Sequence, residues 1–180
     1  MNLIDTLNLA YNLLKTNKID SYKIDAEILL CETLKTPKEK LFLNLDQKIT
    51  KAELQKFISL INRRKIKEPV AYLLKKKEFW KNEFFVNKNV LIPRPETEYI
   101  VEASLEIINK KQRKRILEIG IGSGCVLTSI LKERKYCVGV GIDCSKKALN
   151  VAKFNANLHN IKNRIKIIKS DVDNFSSSKY

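Results

Sequence analysis

Apolar side chains recur at helical spacing through the first third of the chain. Leu3, Leu7, Tyr11 and Leu14 fall on one face, with Ile4 on the same side, and predict an amphipathic helix. A second helix follows Asp20-Ser21, with Ala26, Leu29, Leu30 and Leu34 as its inward face. Thr36-Pro37-Lys38-Glu39 predicts a further start: Thr can cap, Pro is tolerated in the first turn, and Glu39 can complete a capping box. Thr50 with Glu53 repeats that signature ahead of the stripe Leu54, Phe57, Ile58 and Ile61. These stripes predict a small helical bundle over roughly residues 1–70.

The pattern changes after Glu68-Pro69. Residues 77–92, KEFWKNEFFVNKNVLI, are rich in aromatic and β-branched side chains, with turn-formers at Lys81-Asn82 and Asn87-Lys88-Asn89, and predict a β-hairpin. Pro93-Arg94-Pro95 breaks the strand, and Val101, Leu105 and Ile108 carry a helix to about Asn109. Strands at 115–119, 136–142 and 165–168 then alternate with helices at 126–135 and 145–159. Ala148, Leu149, Ala152 and Ala156 are the inward face of the second of these helices. Alternation of this kind predicts a parallel sheet. Three strands with helices on one side leave apolar surface bare, and residues 173–180 read as a polar loop. The expectation is part of a longer α/β domain.

Composition narrows the class without deciding it. Apolar residues make up 44% and charged residues 31% of 180, which is a globular rather than a disordered balance. No apolar run approaches the ~20 residues of a membrane helix, and the N-terminus lacks the pattern of a signal peptide. The expected compartment is the cytoplasm. The net charge of +15 invites a nucleic-acid reading. However, 28 of the 35 basic residues are Lys and only 7 are Arg, beside 21 Ile and 16 Asn. A general tilt toward Lys, Ile and Asn spreads charge over every solvated face, whereas Arg is the better bidentate partner of phosphate. Direct nucleic-acid binding is therefore not expected. Cys31, Cys125, Cys137 and Cys144 form no C-x-x-C pair, and the single histidine, His159, is distant in sequence, so no metal site is expected.

The chemistry concentrates in Glu118-Ile-Gly120-Ile121-Gly122-Ser123-Gly124-Cys125. A strand that ends in alternating glycines and opens a helix lets backbone approach a ligand closely. Asp143 ends the next strand, 19 residues after Gly124. There a carboxylate can accept from two ribose hydroxyls, or cap the helix that begins at Ser145. The dinucleotide fingerprint G-x-G-x-x-G/A would need its third small residue at Cys125, and no GK[ST] phosphate loop occurs. The spacing present is E-x-G-x-G-x-G, which resembles the first motif of the class I S-adenosylmethionine-dependent methyltransferases.

A narrower resemblance covers essentially the whole chain. Glu68-Pro-Val-Ala-Tyr72, Glu78-Phe-Trp80 and Val90-Leu-Ile-Pro-Arg-Pro-Glu-Thr-Glu98, followed by the glycine motif, look like the peptide chain release factor glutamine methyltransferases, the HemK family. The resemblance implies an α/β protein of three parts. These are a helical substrate-recognition domain over 1–72, a β-hairpin linker over 73–93, and the first half of a Rossmann-like methyltransferase domain over 94–180. It implies S-adenosylmethionine as cofactor and the glutamine of a release factor GGQ motif as substrate. Gly120, Ile121, Gly122, Ser123 and Gly124 would line the cofactor, Asp143 hold its ribose, and Asp171 and Val172 border the adenine. Asp171 can equally be a strand-end turn residue. The family usually carries an aromatic residue at the position of Val172, so stacking there is weakened. Arg94, Thr97 and Glu98 match a motif that shapes the cofactor and substrate pocket, and a first-turn cap or a surface charge pair is the other role open to them.

The departure is an absence. The family's Asn-Pro-Pro-Tyr substrate motif does not occur in the chain. An amide nitrogen is a poor nucleophile, and that motif would hold and aim it, so the chain alone is expected to be inactive. Two other readings share parts of this pattern: a methyltransferase acting on an exocyclic amine of a nucleic-acid base, and a non-catalytic module that keeps a vestigial loop. A nicotinamide dehydrogenase is disfavoured by the glycine spacing.

Overall fold

The computed structural model describes residues 1–176, and the chain divides into two units, Met1–Leu74 and Lys75 onward. The first unit is helical: α1 (Leu3–Thr16), α2 (Tyr22–Leu34), α3 (Lys38–Leu43), α4 (Lys51–Lys65) and α5 (Val70–Leu74). Asn2 caps α1 by accepting from the Asp5 N–H at 2.8 Å. Thr50 and Glu53 form the expected capping box of α4. Leu7, Leu14, Leu29, Leu30, Phe57 and Ile61 make the centre of one core.

Two local expectations change. Ile4 is 39% exposed, because the inward face of α1 runs through Leu3, Thr6, Leu7, Ala10 and Leu14. At α3 the N-cap is Pro37, in extended conformation and with no side-chain cap bond, so the box expected from Thr36 and Glu39 does not form. The structure also buries two carboxylates of α2 that the apolar pattern did not reveal. Asp25 accepts from Ser21 Oγ and from Arg64 Nε of α4, each at 2.7 Å. Glu27 accepts from the Tyr11 hydroxyl of α1 at 3.0 Å and pairs with Lys38 at 2.7 Å. α2 is thereby tied to three neighbouring helices through charge-assisted bonds as well as packing.

The second unit begins with an antiparallel hairpin of β1 (Lys76–Phe79) and β2 (Asn82–Phe85). Its two-residue turn is Trp80-Lys81, one position earlier than the sequence suggests, and both residues have positive φ, 43° and 61°. That is the hand required by a tight hairpin turn. A 3₁₀ turn at Pro95–Thr97 leads into α6 (Glu98–Ile107). Then come β3 (Arg115–Ile119), α7 (Cys125–Glu133), β4 (Val138–Asp143), α8 (Lys146–Leu158) and β5 (Ile165–Lys169).

The three later strands form the expected parallel sheet in the order β3-β4-β5. One face, with Ile116, Ile165 and Ile167, packs on Leu127 and Leu131 of α7 and Leu149 and Ala152 of α8. Phe79 and Phe84 of the hairpin and Val101 of α6 pack with Val126 and Ile130 of α7. Arg134, 7% exposed, donates to the carbonyls of Leu105 and Ile108 and so closes the C-terminal end of α6. The other sheet face leaves Leu117, Ile119 and Val138 exposed. The polar loop read over 173–180 is described only as far as Ser176; residues 177–180 lie outside the described residues. Among the described residues no helix is long and apolar enough to cross a membrane.

Candidate functional site

The carboxyl ends of the parallel strands converge on the glycine loop. The Ile121 N–H donates to the Ile142 carbonyl at 2.9 Å, hooking the loop onto the end of β4, and the Gly124 N–H donates to the Ile121 carbonyl at 2.8 Å. The loop therefore turns tightly before α7 begins. Its glycines do different work. A Cβ on Gly120 (φ +71°) would meet nothing within 4 Å, so the loop opens onto free space there. Gly124 (φ +77°) lies against α8, where a Cβ would come within 3.3 Å of the Ala152 Cβ. Ile121 is 2% exposed, and a Cβ on its neighbour Gly141 would meet Ile121 Cδ1 at 2.1 Å. The glycine in β4, read from sequence only as part of a strand, makes room for the loop.

Asp143 closes the arrangement from the end of β4. One carboxylate oxygen accepts from the Gly122 N–H at 3.0 Å, and the other accepts from the Ser145 N–H at 2.8 Å. Ser145 in turn caps α8 by accepting from the Ala148 N–H at 3.2 Å. Asp143 thus binds both the loop and the helix start, and each oxygen keeps capacity for a further donor. Beyond β5, the Ser170 N–H donates to the Asp143 carbonyl at 3.2 Å, which brings the exposed Asp171 and Val172 to the same edge of the sheet.

Glu118 lies below the loop on β3 and accepts from the Leu127 N–H in the first turn of α7 at 3.0 Å. Burial pushes its carboxyl up to about 8, against the opposing pull of that one donor. Burial likewise pushes the neighbouring Cys125 up to about 11, which keeps it a thiol at neutral pH.

Arg94 is exposed and its carbonyl accepts from the Thr97 N–H at 3.0 Å, within the 3₁₀ turn. Glu98 engages the hairpin: its Oε1 accepts from the Trp80 N–H at 2.8 Å, in an open hollow lined by Trp80, Pro95, Glu96, Tyr99 and Glu102. The structure brings together the glycine loop, Asp143 and the 170–172 segment, and sets Glu98 on the hairpin turn.

One residue of the site was missed by sequence reasoning. Asn155 is fully buried on α8 and donates to the Ser123 carbonyl at 2.8 Å. The available signal was a lone polar residue among the inward positions Ala148, Leu149, Ala152 and Ala156.

Comparison with known proteins gives two family matches: the PrmC N-terminal domain over residues 5–74 and the methyltransferase small domain over residues 101–180. The chain is 39% identical over 174 residues to a release factor glutamine methyltransferase of Clostridium botulinum, covering 96% of this chain and 61% of that protein. It is 35% identical over 158 residues to one of Nitratidesulfovibrio vulgaris, covering 88% of this chain and 53% of that protein. The chain thus spans between half and two thirds of the length of these relatives. Among solved structures, a SAM-dependent methyltransferase from Geobacter sulfurreducens in complex with S-adenosyl-L-homocysteine aligns with a TM-score of 0.40 at 27% identity, over 47% of this chain and 32% of that chain.

Proposed function

We propose, for a chain that belongs to the release factor glutamine methyltransferase family, that its glycine loop binds S-adenosylmethionine and that the methyl group goes to the side-chain amide of the glutamine in a release factor GGQ motif. The observation that carries the cofactor half is the open loop at Gly120 and Gly122 with Asp143 bonded to it from the adjacent strand. The residues fit the group. Gly120 and Gly122 give an uncrowded backbone surface within the 120–124 loop for the methionine and adenosine parts, Asp143 has lone pairs left for two ribose hydroxyls, and Asp171 with Val172 would border the adenine. Val172 offers an aliphatic surface there rather than an aromatic ring. When bound, the cofactor supplies a methyl group on a positively charged sulfur.

In this reading residues 1–72 recognise the substrate protein, the hairpin over 73–93 leads into the catalytic part, and Arg94, Thr97 and Glu98 border the pocket. Identities above 30% that run through both the helical unit and the α/β unit favour a protein substrate over a nucleic-acid base. The amide nitrogen still needs acceptors that hold and aim it, and the chain contains no Asn-Pro-Pro-Tyr to supply them. We therefore expect the 180-residue chain to bind cofactor without turning over. Calorimetry should show saturable binding of S-adenosylmethionine and none of NAD. A methyl-transfer assay with a release factor should show no product. Absence of S-adenosylmethionine binding would sink the cofactor assignment, and turnover by this chain would sink the inactivity.

A further inference from the structure

Asn155 does more than fill a place in the core. Its amide nitrogen donates to the Phe85 carbonyl at 2.9 Å and to the Ser123 carbonyl at 2.8 Å, and its oxygen accepts from the Phe85 N–H at 2.8 Å. Phe85 is the last residue of β2, and Ser123 is in the glycine loop. One fully buried side chain therefore bonds the hairpin strand at both backbone groups and the loop at a third. No other side chain does this from the same place. Asp has no donors, Gln is a methylene longer, and an apolar residue would leave the Phe85 N–H and carbonyl and the Ser123 carbonyl without this partner.

The hold on the hairpin is reinforced one turn later. His159 stands four residues on, as the C-cap of α8, and its Nε2 lies 3.0 Å from the Glu83 carbonyl, also on β2. The hold on the loop is reinforced one turn earlier, where Gly124 packs on Ala152. α8 is thus a rigid bar with the hairpin edge and the glycine loop fastened to the same face.

We propose that Asn155 is a positioning residue that fastens the glycine loop to the hairpin, so that the two open as one unit and the loop holds its ligand only while the hairpin is docked. The ligand half of this statement rests on the cofactor reading above; the coupling half does not.

Native-state hydrogen exchange on the wild-type chain tests the coupling without any substitution. The Phe85 amide, bonded to Asn155, and the Gly124 amide, bonded to Ile121, should exchange through one opening, with equal protection and equal denaturant dependence. Gly124 protected more than tenfold better than Phe85 would overturn the proposal. Asn155→Asp keeps the acceptor for the Phe85 N–H and removes both donors. It should speed exchange of the loop amides at least tenfold and weaken S-adenosylhomocysteine binding at least tenfold. A Lys153→Gly control, at an exposed position of α8, costs helix stability without touching the loop and should leave that affinity unchanged. Wild-type loop exchange in Asn155→Asp, or equal loss of affinity in the control, would also overturn it. Should Asn155→Asp fail to fold, the wild-type comparison still decides. Should the wild type not bind S-adenosylhomocysteine, the cofactor reading falls, and the exchange data alone judge the coupling.

Discussion

At Gly124 two demands fall on one residue: a left-handed backbone, φ +77°, and contact with Ala152 close enough that a Cβ would crowd it at 3.3 Å. An alanine there meets both penalties, so Gly124→Ala should lower stability by about 1–2 kcal/mol from backbone conformation alone, with more where α8 is pushed back. Urea denaturation checks this. Glu118 shows how burial changes a motif residue. Its folded-state carboxyl titrates near 8, above its ordinary range, so between about pH 4.5 and 8 the folded chain holds a proton that the unfolded chain has released. Stability therefore falls as pH rises through that window. Glu118→Gln removes the linkage and should flatten the decline between pH 5 and 9 by on the order of 1–3 kcal/mol. The acidic residue two before the first glycine was readable in the sequence; its protonation depends on burial beneath α7, which was not.

The element that organises the second unit is α8. Its sequence shows an apolar face of small residues, and the structure adds Asn155 and His159 as side-chain partners for the otherwise free edge of β2. Covering an edge in this way blocks further strand pairing. His159 is the only histidine in the chain, so its titration can be followed by proton NMR without assignment ambiguity. Burial, and then the positive charge of Lys132 near Nδ1, lower its pKa from the usual value. The stability it protects is present above the unfolded value, about 6.5, and is lost as pH falls toward the folded one. The imidazole should titrate below the free value, and Lys132→Ala should move the midpoint partway back up. A midpoint unchanged by that substitution would mean that burial alone sets it.

On the scale of the molecule, the two units have separate cores, and among the described residues α7 and α8 pack on one face of the parallel sheet while part of the other face stays open. Leu117 is 44%, Ile119 56% and Val138 44% exposed, a patch of strand side chains that a sheet with helices on both faces would bury. The folded chain should therefore enhance the fluorescence of anilinonaphthalene sulfonate. The triple substitution Leu117→Thr, Ile119→Thr and Val138→Thr should abolish that enhancement while shifting the unfolding midpoint far less than core substitutions would, since about half of each side chain is already in water. A strong loss of stability in the triple variant would show that the face is packed in solution.

The order of the longer helices and of the strands was determined by the sequence alone, though not the short α5, because helical stripes, alternating strands and glycine punctuation are local signals that need no partner to be read. So were the capping box at Thr50, the strand–loop–helix around Gly120 to Gly124, and the place of Asp143 at a strand end. What only the tertiary structure decided are the relations between distant residues. Asp25 meets Arg64 across 39 positions, and Asn155 meets Phe85 across 70. Those partners are chosen by which backbone and charged groups packing leaves buried and unpaired. That choice exists only once helices and strands have come together.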